Sequence, residues 1–249
     1  MKKLVLVASA LALGTAAALA ADLAPGYYKA PPMVMAMYNW SGFYAGGNAG
    51  WGTSHNCWTR TSTLGVAVTR VSEGCHDASG GTVGGQLGYR WQAGPWVFGL
   101  EAQGNWADFS GSNFSLVTAG ATNRTRIDAF GLFTGQVGYA WNNLLGYVKG
   151  GAAVTDNRYD GLVTATGAVF DRATDTRWGG TVGAGIEYGF APNWSAALEY
   201  DHLFMGTNNY AMTSVATGVN TRNVDVREDA DLVTVRVNYR FGGPIVARY

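Results

Sequence analysis

From Trp40 onward the chain alternates apolar and polar residues with a period of two, and it does so eight times. A strand sends successive side chains to opposite faces, whereas a helix repeats every 3.6 residues, so this pattern predicts strands and no long helix. The last repeat is the clearest. Val233, Val235, Val237, Tyr239 and Phe241 fall on one face, with Thr234, Arg236, Asn238 and Arg240 on the other. The first, GFYAGGNAGW, sets Phe43, Ala45, Ala49 and Trp51 against Tyr44 and Asn48. Between them lie TVGGQLGYRW, WVFGLEAQGNW, IDAFGLFTGQVGY, LLGYVKGGAAV, WGGTVGAGIEYGF and WSAALEYD.

The connections alternate in length. Those at 92–95, 141–143 and 191–193 carry Gly, Pro or Asn, the residues that tight turns require. Those at about 53–80, 107–125, 155–176 and 203–229 are long and polar and read as loops. Short turns on one side and long segments on the other are the signature of an eight-stranded antiparallel up-and-down transmembrane barrel of the outer-membrane type. A soluble sandwich or barrel is the competing architecture. Against it, charged residues are 14% of the chain while aromatics are 13%, and charges fall opposite the aromatics in nearly every strand. A soluble barrel would turn its apolar face inward instead. Trp51, Trp91, Trp96, Trp106, Tyr139, Trp178, Tyr188, Trp194, Tyr200 and Phe241 cluster at strand ends, where interfacial aromatic girdles sit.

The N-terminus fits this placement. Lys2 and Lys3 precede an apolar run ending in Ala18-Leu19-Ala20, which reads as a cleaved secretory signal over 1–20. Residues 21–37, rich in proline, read as a periplasmic linker, 38–242 as the barrel and 243–249 as a periplasmic tail. Pro244 cannot donate to a ladder, so the last strand should close near Phe241. Either Phe241 or Tyr249 supplies the terminal aromatic that the barrel assembly machinery reads.

On the inward face the alternation collects Arg90, Lys149, Arg236 and Arg240 with Glu101, Asp128, Glu187, Glu199 and Asp201. Such a set is either a charged constriction of a pore or an ion-pair network that fills the lumen. Eight strands leave an interior just wide enough for side chains, which favours the filled lumen over a small-solute porin. Cys57 and Cys75 lie beside His55 and His76. Outside the inner membrane thiols oxidise, so a Cys57–Cys75 disulfide is expected rather than a metal site. His202 follows Asp201, but no serine partner for a catalytic set is identifiable. There is no phosphate-binding GxxxxGK[ST] motif and no cofactor signature, and the zero formal net charge argues against a nucleic-acid partner.

APPMVMAMYNWSGFYAGGNAGWG at 30–52, YVKGGAA at 147–153 and VNYRFGGPIVARY at 237–249 resemble the porin-like outer-membrane β-barrel family of alphaproteobacteria. These are the immunogenic surface proteins of rhizobia and brucellae, distantly similar to opacity and OmpA-type barrels. The resemblance covers nearly the whole mature chain. It implies an envelope protein supporting outer-membrane integrity and host contact, embedded in outer-membrane lipids including lipopolysaccharide, with no catalytic residues and no cofactor.

Overall fold

The computed structural model describes residues 38–242. The signal segment (1–20), the linker (21–37) and the tail (243–249) inferred above lie outside the described residues. Eight strands follow one another: β1 (Gly42–Thr63), β2 (Val66–Ala93), β3 (Trp96–Phe114), β4 (Ala121–Trp141), β5 (Leu144–Val163), β6 (Val169–Ala191), β7 (Trp194–Ser214) and β8 (Asn220–Phe241). Each pairs antiparallel with its sequence neighbours, and β1 pairs with β8 from Phe43↔Phe241 to Thr63↔Arg222, closing the barrel. Closure removes the open edges that lipid could not solvate.

The membrane half follows from the alternation. Phe43, Leu87, Leu100, Phe133, Val148, Ile186, Leu198 and Val235 face outward and are exposed, as are most of the Trp and Tyr residues above and below them. The three tight turns are at 94–95, 142–143 and 192–193, where Gly94 and Asn142 adopt left-handed φ values of 61° and 54°.

The four long polar segments are not irregular loops. They are continuations of the strands, joined by hairpin turns near Leu64–Gly65, 115–120, 164–168 and 215–219. β1 has 22 residues; at roughly 3.4 Å per residue and a tilt of about 40° it rises about 57 Å, around twice the ~25 Å apolar band of such barrels. The upper strands look like loops in sequence because water, not lipid, covers their outer face, so both faces carry polar residues.

β-Bulges hide these extensions further. The register shifts between Ile127 and Ala129 where β4 pairs with β5. The extra residue reverses which parity points inward. Asp128, expected in the lumen, therefore points outward and pairs with Arg158 at 3.2 Å, both half exposed. Ile127, expected outward, is buried inside.

Cys57 and Cys75 stand opposite one another on β1 and β2, above the membrane belt, and are bonded, with Cα atoms 4.1 Å apart. The bridge joins residues 18 apart across the first extracellular hairpin. Closing such a loop is worth about 3 kcal/mol in the chain-entropy model. The Cys57→Ala, Cys75→Ala double variant is expected to unfold at lower urea concentration than the wild type, and reductant should bring the wild type to the same midpoint. An unchanged midpoint would contradict a stabilising bridge.

Candidate functional site in the barrel lumen

The membrane half of the lumen is organised around Arg236 of β8. Its guanidinium forms ion pairs with Glu101 of β3 and Glu199 of β7, and all three are buried. Each glutamate also accepts a hydrogen bond at 2.6 Å from a buried tyrosine, Tyr44 to Glu101 and Tyr147 to Glu199. The tyrosines have room because each faces a glycine across the ladder, Gly88 and Gly185. A Cβ at either glycine would lie 2.6 Å from the tyrosine hydroxyl. Lys149 approaches Glu199 at 2.6 Å, Asp201 at 3.2 Å and Glu101 at 3.7 Å. Below them Arg90 pairs with Glu187 at 2.8 Å and stacks over the Tyr44 ring at 4.5 Å, while Glu187 also accepts from Ser195 and Asn238. Three bases thus meet four acids in one connected cluster.

Arg240, expected to need an acidic partner, has none among the described residues. It lies at the periplasmic mouth, where it donates to the carbonyls of Pro192 (3.0 Å) and Ser41 (3.3 Å) and stacks on Tyr38. Tyr38 and Trp40 pack there with Val97, Leu145 and Tyr147, closing that end with an apolar cluster. Beside the charge cluster, Asn48, Gln86, Asn105 and Asn238 form a chain of amide hydrogen bonds of 2.6–2.7 Å.

A layer that the alternation does not reveal comes next. Phe109, Ile127, Phe130, Leu132, Leu203, Met205 and Leu232 fill the lumen as an apolar plug. The sequence signal is adjacent apolar residues that serve both faces, as in Leu132-Phe133, Leu203-Phe204-Met205 and Leu232-Val233. One of each set faces lipid while its neighbour fills the core.

Above the plug the interior turns polar again. Arg177 and Glu228 are fully buried 3.5 Å apart, and Glu228 accepts from Tyr159 at 3.0 Å. Trp58, Tyr159, Tyr210, Met212, Val224 and Val226 pack around them. At the top, Glu73 is held by Arg222 and by Arg60 (2.6 Å), Arg222 reaches Asp171 (3.0 Å), and Asp160 is held by Arg124 (2.7 Å) and Arg172 (2.6 Å). Burial works to raise the Glu73 carboxyl, but Arg222 and Arg60 prevail and hold it below the usual range. At Asp160 burial likewise raises, and the hydrogen bonds from Arg124 and Arg172 outweigh it. Burial pushes the His76 imidazole down, against its hydrogen bond to Asn113. Burial raises Glu228 despite Arg177.

Two outward features complete the inventory. His202 Nδ1 lies 2.7 Å from Asp231, whose carboxylate also accepts from Tyr200 at 2.5 Å; Asp201 and Glu199 point the other way, into the lumen. His55 sits beside the disulfide, 2.6 Å from Asp77. All ten predicted girdle residues point outward; nine are exposed and Tyr139 is half-buried, packed edge-on against Trp96.

The sequence matches the family model described as "Outer membrane protein beta-barrel domain" over residues 6–241. The chain belongs to the outer membrane protein β-barrel family. The 31 kDa outer-membrane immunogenic protein of Brucella melitensis is 31% identical over 252 residues, covering 96% of this chain and all of the relative. A 22 kDa outer membrane protein of Rhizobium leguminosarum is 32% identical over 53% of this chain and 56% of its own. Among solved structures, the outer membrane protein OprG of Pseudomonas aeruginosa superposes with a TM-score of 0.55, at 15% identity, over 82% of this chain and 98% of its own, a likeness of fold alone. This member of the β-barrel family is accordingly an outer-membrane protein.

Two outcomes follow from the lumen. Arg236→Met leaves Glu101 and Glu199 buried without their shared cation and is expected to cost about 3–5 kcal/mol in unfolding free energy. Adding Glu101→Gln and Glu199→Gln should restore part of that loss; equal stability of wild type and Arg236→Met would contradict the arrangement. The second outcome concerns pH. Glu73 and Asp160 have lowered folded values, so their stabilisation is complete above the ordinary carboxylate range, about pH 4, and is lost as pH falls through the folded values. His76 is a base lowered by burial, so the unfolded chain takes up its proton first below about pH 6.5, again weakening the fold as pH falls. Glu228, raised, works in the opposite direction, weakening the fold as pH rises from the ordinary carboxylate range. Urea midpoints should therefore decline between neutral and acid pH, and Glu73→Gln should flatten the most acidic part of that decline.

Proposed function

We propose that this outer-membrane barrel is a non-conducting surface protein that supports the envelope and presents a rigid extracellular collar to its surroundings. The observation that carries this reading is the succession of filled layers along the lumen. The Arg236 cluster, the Phe109–Leu232 plug and the Arg177–Glu228 layer lie one above another. A solute would have to displace all three, and buried ion pairs resist the loss of a partner.

Several features support the surface role. A relative named as an immunogenic outer-membrane protein matches 96% of this chain over its own full length. The upper strands lift the hairpin turns well beyond the aromatic girdle, placing the most exposed groups where other molecules meet the cell. The girdle itself suits the lipid boundary, including lipopolysaccharide, and Phe241 at the end of β8 is an aromatic suited to the barrel assembly machinery. The hydroxyl hydrogen-bonded to the His202–Asp231 pair is that of Tyr200, which donates to Asp231 rather than to the imidazole, and this favours a non-catalytic role.

Planar-bilayer recording of the purified, folded protein tests the reading. No steady openings are expected. Regular ohmic openings would favour the small-solute porin and overturn the proposal.

A further inference from the structure

The β6–β7 seam is interrupted just above the membrane belt. Gly180↔Phe204 is the last pair of the lower wall, and pairing resumes only at Arg172↔Thr213 and Asp171↔Ser214. Between them, seven residues of β6 (Ala173–Gly179) face eight of β7 (Met205–Met212) without a ladder. The cause lies in β7. The register with β8 shifts between Phe204 and Gly206, and Gly206 takes a left-handed φ of 73°, the mark of a bulge. Arg177 staples the lower part of the opening by donating to the carbonyls of Met205 (3.1 Å) and Gly206 (2.6 Å). Above that staple a cleft of about 730 Å³ remains, lined by Arg172–Asp175 and Thr207–Ala211. This is within the size range of ligand sites, roughly 300–1,000 Å³.

The geometry points to this slot as a docking site for an extended polypeptide segment that pairs with the two strand edges. Unpaired edges are templates for strand addition, and main-chain hydrogen bonds supply the affinity. Because the two edges face one another across one cleft, the occupant must have both of its own edges free. A single extended peptide satisfies this, whereas the edge of a folded sheet does not. The walls are suited to a polar segment without negative charge, because Asp175 adds a carboxylate that is paired with no cation among the described residues. Thr174, Thr207, Asn208 and Asn209 offer hydroxyls and amides, and Gly206–Asn209 are exposed in an unbroken run. Arg172 is already paired with Asp160, so the cleft carries no free cation for an anionic ligand. The upper clasp is short and adjoins the 215–219 turn, so entry from the extracellular end requires only its opening.

The test uses the full-length protein in lipid nanodiscs and a fluorescein-labelled heptapeptide of alternating threonine and valine. Saturable binding by fluorescence anisotropy is expected, with exchange slowed at least about tenfold on binding for those amides of 173–176 and 207–212 that face the cleft and do not already pair with β5 or β8. The same peptide N-methylated at alternate residues should bind at least about tenfold more weakly, because it cannot complete the ladder. Failure of the peptide to bind, or equal binding of the methylated peptide, would overturn the proposal. So would protection of these amides before peptide is added, which would mean that the strands pair with each other. Protection by maltotriose alone would make the slot a sugar site and would overturn it equally.

Discussion

Arg236 sets the position of most of what surrounds it in the membrane half of the lumen. It lies between Glu101 and Glu199, on strands from different parts of the wall, and each glutamate is in turn fixed by a tyrosine and approached by Lys149. In a narrow interior a charge cannot be left unpaired, since an isolated buried ion costs far more than a neutral group. The ion pairs therefore demand that the strands carrying them close at one radius and one register. The glycines opposite Tyr44 and Tyr147 are part of the same requirement, because any larger residue there would push a ring out of hydrogen-bonding reach.

The same logic is repeated above the membrane with different chemistry. The apolar plug separates two polar layers, so the charges of each satisfy themselves locally rather than through water along the axis. The result is a barrel that is walled and filled well beyond the bilayer. Its hairpin turns sit on a packed pedestal, and its interruption at the β6–β7 seam stands out because the wall resumes above it.

Much of this was legible in the sequence and the rest was hidden for identifiable reasons. Strict alternation gave the eight membrane-spanning segments, their lipid faces and seven of the lumen charges that the structure joins, from Arg90 to Arg236. Arg240 points inward as expected, yet its partners are mostly backbone carbonyls, with the Asn193 side chain, and carbonyls carry no sequence signal. Asp128 was misplaced because a bulge reverses parity and nothing in a run such as IDAFGLF marks where the extra residue falls. The extracellular strands read as loops in sequence because water covers their outer face and their inner face mixes buried apolar residues such as Val224 and Val226 with a buried charge such as Glu228, so the lipid-facing alternation of the membrane half does not continue. The apolar plug is marked in sequence only by doubled apolar residues such as Leu203-Phe204, whose two members serve different environments. The Arg177 staple depends on the bulge at Gly206 and could not be anticipated from spacing.

The polar segments beyond the membrane are packed barrel and not loops. Backbone order parameters measured by NMR in lipid nanodiscs for residues 54–60, 155–162 and 222–230 test it most directly. The packed interior predicts values near about 0.85, matching residues 83–91 within the bilayer; values below about 0.6 across these segments would contradict it.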